Sequence, residues 1–176
     1  MIGQASPLPE GLADEVTVYI GLGSNLDEPI DQVRRALGEL GQLPESRLLA
    51  RSSLYRSRPM GPMGQPDYVN AVAALATTLA PLDLLDELQG IEVRHGRVRA
   101  GERWGPRSLD LDLLLYGDQV IDNDRLTVPH YGLRQRAFVL QPLREIAPDV
   151  RLPGGESLET LAAACPGDGL ERLATG

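Results

Sequence analysis

Two apolar stripes at helical spacing, each set between strand-like runs, restrict this chain more than any other feature. Ile30, Val33, Leu37 and Leu40 recur every three or four residues, with Arg34, Arg35 and Glu39 off the stripe. Pro29 falls in the first turn, Asp27 is placed to cap it, and Gly41 lies beyond its end. Leu84, Leu85, Leu88 and Ile91 form the second stripe, which Pro81 opens. Ahead of the first helix, 16–22 is β-branched and stops at Gly23-Ser-Asn, which predicts a strand. Residues 47–57 alternate loosely, as one strand would. The alanines of 68–78 also suit a helix, but its β-branched residues and its place after a Pro/Gly cluster favour a strand. The run Leu109-Asp-Leu-Asp-Leu-Leu-Leu-Tyr is the last of these strands. The order β-α-β-β-α-β predicts an α+β fold with a ferredoxin-like core, a mainly antiparallel sheet with helices packed on it. A hairpin around Gly117-Asp118 and helices near 138–146 and 158–164 are expected to complete it.

Residues 1–15 carry Pro7, Pro9 and Gly11 without hydrophobic period and read as a flexible leader. The remaining 16–176 read as one domain, with 42% hydrophobic residues in the 176-residue chain to fill its core. All 17 basic residues are arginine, which excludes a lysine Schiff base and a lysine-bearing Walker A loop. Against 25 acidic residues they leave a net charge of −8, unsuited to gripping duplex nucleic acid. A single cysteine, Cys165, forms no internal disulfide, and no apolar run approaches the roughly 20 residues of a membrane span. The N-terminus lacks the regions of a signal peptide. A soluble cytoplasmic domain is the expectation.

The stretch with most chemistry is Arg103-Trp-Gly-Pro-Arg-Ser-Leu-Asp-Leu-Asp-Leu. Strand alternation turns Asp110 and Asp112 to one face, roughly 6.6 Å apart along the chain, and Leu109, Leu111 and Leu113 to the other. Two carboxylates on one rigid face suit magnesium, which takes one or two carboxylates plus substrate phosphates. The same alternation also serves a half-buried strand with two solvated carboxylates. Arg97, Arg99, Arg103 and Arg107 crowd the preceding loop, and guanidinium groups pair bidentately with phosphate oxygens. A cationic cluster beside paired carboxylates suits a metal–polyphosphate site, although it also suits pairing with the excess acids.

Glycines and Pro106 around Trp104 give this loop the makings of a lid. Trp104 either stacks on a base or plugs the core. Aromatics are only 4% of the chain; Tyr68, with Asn70 two residues on, and Phe138 can hold a flat heterocycle by stacking and paired hydrogen bonds. His95 and His130 have no second histidine or cysteine at metal spacing, so zinc is not expected. His130 is a phosphate donor, a proton relay or a structural histidine. Ser24 has no histidine in readable relation to it.

Taken together, these residues resemble the 6-hydroxymethyl-7,8-dihydropterin pyrophosphokinase family of folate biosynthesis. The resemblance is carried by Gly21-Leu-Gly-Ser-Asn-Leu, Gln65-Pro-Asp-Tyr-Val-Asn, Gly96-Arg-Val-Arg and the arginine–tryptophan–aspartate stretch. Leu126-Thr-Val-Pro-His-Tyr and Arg136-Ala-Phe-Val-Leu-Gln-Pro-Leu extend it, so that it runs in one order from about Val16 to Pro153.

The resemblance implies transfer of pyrophosphate from ATP to the pterin hydroxymethyl group, with release of AMP. It implies that Asp110 and Asp112 hold two magnesium ions, that Arg97 and Arg107 clamp phosphates, and that Arg99 closes with its loop. Gln89, Glu92, Trp104, Leu113, Arg125, Thr127, His130, Tyr131 and Arg136 would line the nucleotide site. Tyr68 and Phe138 would sandwich the pterin, with Trp104 nearby and Asn70 and the backbone around Ser57 and Met60 reading its edge. A monomer acting on small molecules, with neither nucleic acid nor membrane as partner, is implied as well. The pattern departs at Ala100, where the family has lysine, and at Ser57, where threonine is familiar.

Phosphoryl transfer through a loose transition state relies on positioning and charge neutralisation, so no dedicated protein base is expected. The loops 96–107 and 58–65 are expected to close over nucleotide. Two other readings stand beside this one. A kinase releasing ADP would use the same residue types. A ferredoxin-like sheet can also present aromatics to single-stranded RNA, against which stand the charge and the 70 residues between Tyr68 and Phe138.

Overall fold

Strand β1 (Val16–Ser24) runs between two partners, and its composition reflects that position: Val18, Ile20 and Leu22 are buried on one face. The structure, a computed structural model, describes residues 15–26, 28–57, 66–96, 109–165, 167 and 169–173. After β1 come α1 (Pro29–Leu40), β2 (Ser46–Arg51), β3 (Tyr55–Ser57), β4 (Tyr68–Thr77), α2 (Pro81–Arg94) and β5 (Asp110–Tyr116). Short strands β6 (Ile121–Asp122) and β7 (Thr127–Val128), helices α3 (Ala137–Ile146) and α4 (Leu158–Ala164), and β8 (Glu171–Arg172) follow. The main sheet is ordered β5-β1-β4-β3-β8, with β2 also on β4, and its pairings are antiparallel. This is the expected split βαβ arrangement.

Helices α1 and α2 cover one face. Val33, Ala36, Leu37 and Leu40 of α1 and Leu84, Leu85, Leu88 and Ile91 of α2 pack on Val18, Ile20, Leu22, Val69, Ala71, Ala73, Leu75, Leu109, Leu111 and Leu113. The opposite face carries a second cluster, in which Val72, Leu114 and Leu115 meet Leu140 and Leu143 of α3 and Leu158 and Ala162 of α4. The same face also carries Tyr68, Asn70, Gly21, Gly23, Asp110 and Asp112, of which Asn70 and the two glycines are buried.

Three details correct the expectations. The single strand over 47–57 is two strands: Ser52 leaves the ladder, its hydroxyl accepting from Val72 N–H at 2.9 Å while its own N–H donates to the Val72 carbonyl at 2.8 Å. The first helix is capped by Glu28 in the left-handed region (φ 63°), and Asp27 lies outside the described residues. Gly117-Asp118 does not centre a hairpin. It turns the chain off β5, with Gly117 N–H donating to the Thr17 carbonyl, and the added hairpin pairs Ile121 with Val128 further on.

Candidate active site

On this second face the cross-strand register sets polar residues in rows. Gly23 pairs with Asn70 on one side and Asp110 on the other, while Gly21 pairs with Val72 and Asp112. Residues directly opposite share a face, so Asn70 and Asp110 flank Gly23 across two strand spacings, roughly 9.6 Å. Gly23 leaves a gap without a side chain between the Asn70 amide and Asp110, whereas the Leu114 side chain lies 3.4 Å from where a Cβ of Gly21 would be. A Cβ on Gly23 would lie 3.1 Å from the Asn70 side-chain nitrogen and 3.7 Å from the Tyr68 ring.

The carboxylates keep their shared face because alternation holds through Leu113. Asp112 is 44% exposed, while Leu111 and Leu113 are buried beneath it. Pairing then steps from Ile20–Leu113 to Tyr19–Leu115, a bulge that puts both Leu114 and Leu115 on the α3 side. Leu113 faces the α1–α2 core, so its side chain is turned away from the aspartates. Glu92, buried on α2, accepts from the Leu111 N–H at 2.7 Å. It thereby satisfies the outer edge of β5 midway between the aspartates.

His130 stands beside Asp112, with Nε2 3.7 Å from Oδ2. Gly132 N–H donates to His130 Nδ1 at 3.1 Å, so the ring proton of the neutral imidazole is on Nε2, toward the carboxylate. Burial lowers the His130 pKa, Asp112 opposes this and Arg136 adds to it, leaving it below the ordinary value. His130 stacks on Tyr131 with ring centroids 4.5 Å apart. The Arg136 guanidinium lies 5.2 Å from the Tyr131 ring and 5.7 Å from the Phe138 ring, so it bridges the two aromatics. Arg125 pairs with Asp86 at 2.6 Å and reaches Gln89 at 3.3 Å, and Thr127 is exposed on β7. Ser57 donates to the Asn70 carbonyl oxygen at 2.5 Å.

Asp110, Asp112, His130, Tyr131, Arg136, Phe138, Tyr68, Asn70 and Ser57 therefore gather around one face, and Gln89, Arg125 and Thr127 form a separate exposed group on α2 and the β6–β7 hairpin. Met60, Arg97, Arg99, Trp104 and Arg107, with Arg103, Ala100 and the two expected loop closures, lie outside the described residues. Reading the residues in chain order missed the gap at Gly23 between Asn70 and Asp110, for which a glycine at the strand end was the available signal. A cavity of about 400 Å³ at Glu28, Ile30, Arg56, Asp67 and Val69 involves the opposite side of β4 and is separate from this site. Among the described residues no three ligating side chains gather for a metal. Two aspartates alone fit magnesium, whose remaining ligands are water and substrate phosphate, and do not fit zinc.

The antiparallel sheet, with α1 and α2 on one face and a carboxylate pair, an amide and aromatic side chains on the other, defines the chain as a ferredoxin-like α+β protein. The comparisons with known proteins agree. The family profile of 7,8-dihydro-6-hydroxymethylpterin-pyrophosphokinase matches residues 19–148. The 2-amino-4-hydroxy-6-hydroxymethyldihydropteridine pyrophosphokinase of Pseudomonas aeruginosa is 60% identical over 156 residues, 89% of this chain and 96% of that one. The protein of the same name from Haemophilus influenzae is 54% identical over 146 residues, 83% and 91% of the two chains. Among solved structures, an HPPK-DHPS in complex with substrates superimposes with a TM-score of 0.72 at 10% identity, covering 92% of this chain and 47% of that one. A Plasmodium falciparum HPPK-DHPS gives 0.68 at 11% identity, over 85% and 43%. These two share the fold. The chain belongs to the 7,8-dihydro-6-hydroxymethylpterin-pyrophosphokinase family and is a pyrophosphokinase of that pterin.

Proposed function

We propose that the sheet face bearing Asn70, Asp110 and Asp112 is where pyrophosphate passes from ATP to the hydroxymethyl oxygen of 6-hydroxymethyl-7,8-dihydropterin, releasing AMP. The observation that carries this reading is the row Asn70–Gly23–Asp110, which sets a heterocycle-reading amide and a metal-binding carboxylate on either side of a glycine. Asp110 and Asp112 would hold two magnesium ions, which when bound neutralise the triphosphate. Tyr68 and Phe138 enclose the pterin, and Asn70, fixed by Ser57, reads its edge. His130 and Arg136 meet the nucleotide side, with Tyr131 between them, while Arg97 and Arg107 clamp phosphates.

The hydroxymethyl oxygen of the pterin bonds to the β-phosphorus, and the bond from that phosphorus to the α–β bridging oxygen breaks. AMP leaves with that oxygen and its electron pair, and the hydroxyl proton passes to solvent. No side chain is assigned as base, since positioning and charge carry most of such a reaction. We take 16–176 to act as one domain, monomeric and cytoplasmic. That reading rests on the family resemblance, on the single cysteine and on β8 extending the sheet beside β3. Among the described residues no helix is long and apolar enough to cross a membrane.

Product analysis with ATP, magnesium and the pterin tests the proposal. Pterin-dependent AMP is expected; ADP would place the attack at the γ-phosphorus and overturn the assigned geometry.

A further inference from the structure

One carboxylate away from the substrate face gathers an unusual set of partners. Glu145, in the last turn of α3, accepts from the Ser53 N–H at 3.0 Å, the Ser53 hydroxyl at 2.9 Å and the Tyr55 hydroxyl at 2.6 Å. Arg172 of β8 approaches it at 3.4 Å and donates to the Ser53 hydroxyl at 3.0 Å. Burial would raise the Glu145 pKa, but the Tyr55 and Ser53 bonds and Arg172 together hold it below the ordinary value. The group is therefore a carboxylate at neutral pH, and charged acceptors make the stronger hydrogen bonds.

The ladders to β4 and β8 hold β3 within the sheet, and the Glu145 contacts tie it to α3. Ser53 lies in the break between β2 and β3, and Tyr55 opens β3, a strand of three residues. Two residues past Tyr55 comes Ser57, opposite Tyr68 and bonded to Asn70. Phe138 is seven residues before Glu145, so it lies on the same side of α3 about 10.5 Å along the axis. Pro142 stands between them and has no N–H for the Phe138 carbonyl, which interrupts the helical ladder. The pose of the Phe138 turn then depends on how the whole helix is held against the sheet. Leu140 and Leu143 supply apolar contacts that tolerate sliding, whereas Glu145 supplies directional ones.

We infer that Glu145 is a positioning residue for the pterin substrate, setting the separation of Phe138 on α3 from the Ser57–Asn70 pair on β3 and β4 by tying Ser53 and Tyr55 to the helix. It touches no substrate. The inference rests on the pterin slot proposed above. If the slot is 1 Å too wide, stacking and the edge hydrogen bonds cannot both be made at full strength.

The test compares wild type, Glu145→Ala, Glu145→Gln, Tyr55→Phe and Phe138→Ala. Dissociation constants are measured separately for the pterin and for a non-hydrolysable ATP analogue with magnesium, beside kcat and KM. Glu145→Ala is expected to raise pterin Kd and KM roughly tenfold while nucleotide Kd stays within about twofold. Glu145→Gln should recover much of this, because its amide oxygen still accepts from Ser53 and Tyr55. Should Glu145→Ala fail to fold, Tyr55→Phe carries the same test, with a smaller selective loss of pterin affinity expected.

Equal weakening of both ligands would mean a general loss of structure and would overturn the inference. Unchanged pterin binding in the Glu145 and Tyr55 variants, with Phe138→Ala weakened, overturns the positioning role and leaves the slot standing. Unchanged binding in Phe138→Ala overturns the slot, and the inference falls with it.

Discussion

Adding one methyl group to the sheet floor tests the site from inside. In Gly23→Ala the new Cβ lies 3.1 Å from the Asn70 side-chain nitrogen, a few tenths of an ångström inside ordinary contact, and at an unremarkable 3.7 Å from Tyr68. Asn70 has little room to yield. It is 5% exposed, and its carbonyl oxygen takes the Ser57 hydroxyl at 2.5 Å, so moving the amide stretches a buried hydrogen bond. Overpacking of this kind costs about 1–3 kcal/mol, and each 1.4 kcal/mol that falls on substrate binding is about tenfold in affinity. Pterin Kd is expected to rise roughly tenfold, and Tm to fall by about 2–12 °C for a chain of this size. The ATP-analogue Kd should not move, because the methyl group meets Asn70 and Tyr68 rather than the aspartates. Titration by ligand fluorescence and a thermal melt read both quantities. Gly38→Ala serves as control: nothing lies within 4 Å of its Cβ, and in a helix interior the change should stabilise by up to about 1 kcal/mol. A Gly23→Ala protein with lowered Tm but unaltered pterin affinity would refute Asn70 as a reader of the pterin.

Other outcomes follow from the same geometry. Asp112→Ala is expected to lose roughly 10³-fold in turnover with pterin affinity little changed, and retained turnover at saturating magnesium would remove the metal-ligand role. Glu92→Leu strands the Leu111 N–H and should cost about 1–3 kcal/mol in chemical denaturation, whereas Glu92→Gln keeps an acceptor there. Equal stability of those two variants would contradict the edge-capping role. The folded pKa of Glu145 lies below its ordinary value of 4.5, so its contribution is complete above that value and is lost as pH falls through the folded pKa. The Tm gap between wild type and Glu145→Gln should therefore be constant near neutrality and close on acidification below 4.5, and a gap that widens in acid would reverse the sign.

Periodicity was enough to place the helices of the split βαβ core and the face of each aspartate. A stripe at 3.6 residues or an alternation at two is a local property, and Leu111 and Leu113 could have packed in no other direction than away from Asp110 and Asp112. The motif strings likewise marked Tyr68, Asn70, His130, Arg136 and Phe138, and the structure brings these to one face. What the pattern could not show were features made by residues far apart in the chain. Ser52 replaces a ladder hydrogen bond with its hydroxyl and splits one expected strand into β2 and β3. Leu114 is extruded as a bulge where the pairing of β5 with β1 shifts register, which no alternation in β5 alone records. Glu92 also takes the Leu111 backbone N–H 19 positions on, a contact no local pattern records. Gly23 read only as the end of the first strand, and its register between Asn70 and Asp110 is set by β4 and β5. By itself, then, the amino-acid order determined which residues form helices and strands and which side chains share a face, since both depend on neighbours within a turn or two. Only the tertiary structure decided which faces meet and at what separation, because cross-strand register and helix anchoring depend on partners such as Ser53 and Glu145, 92 residues apart.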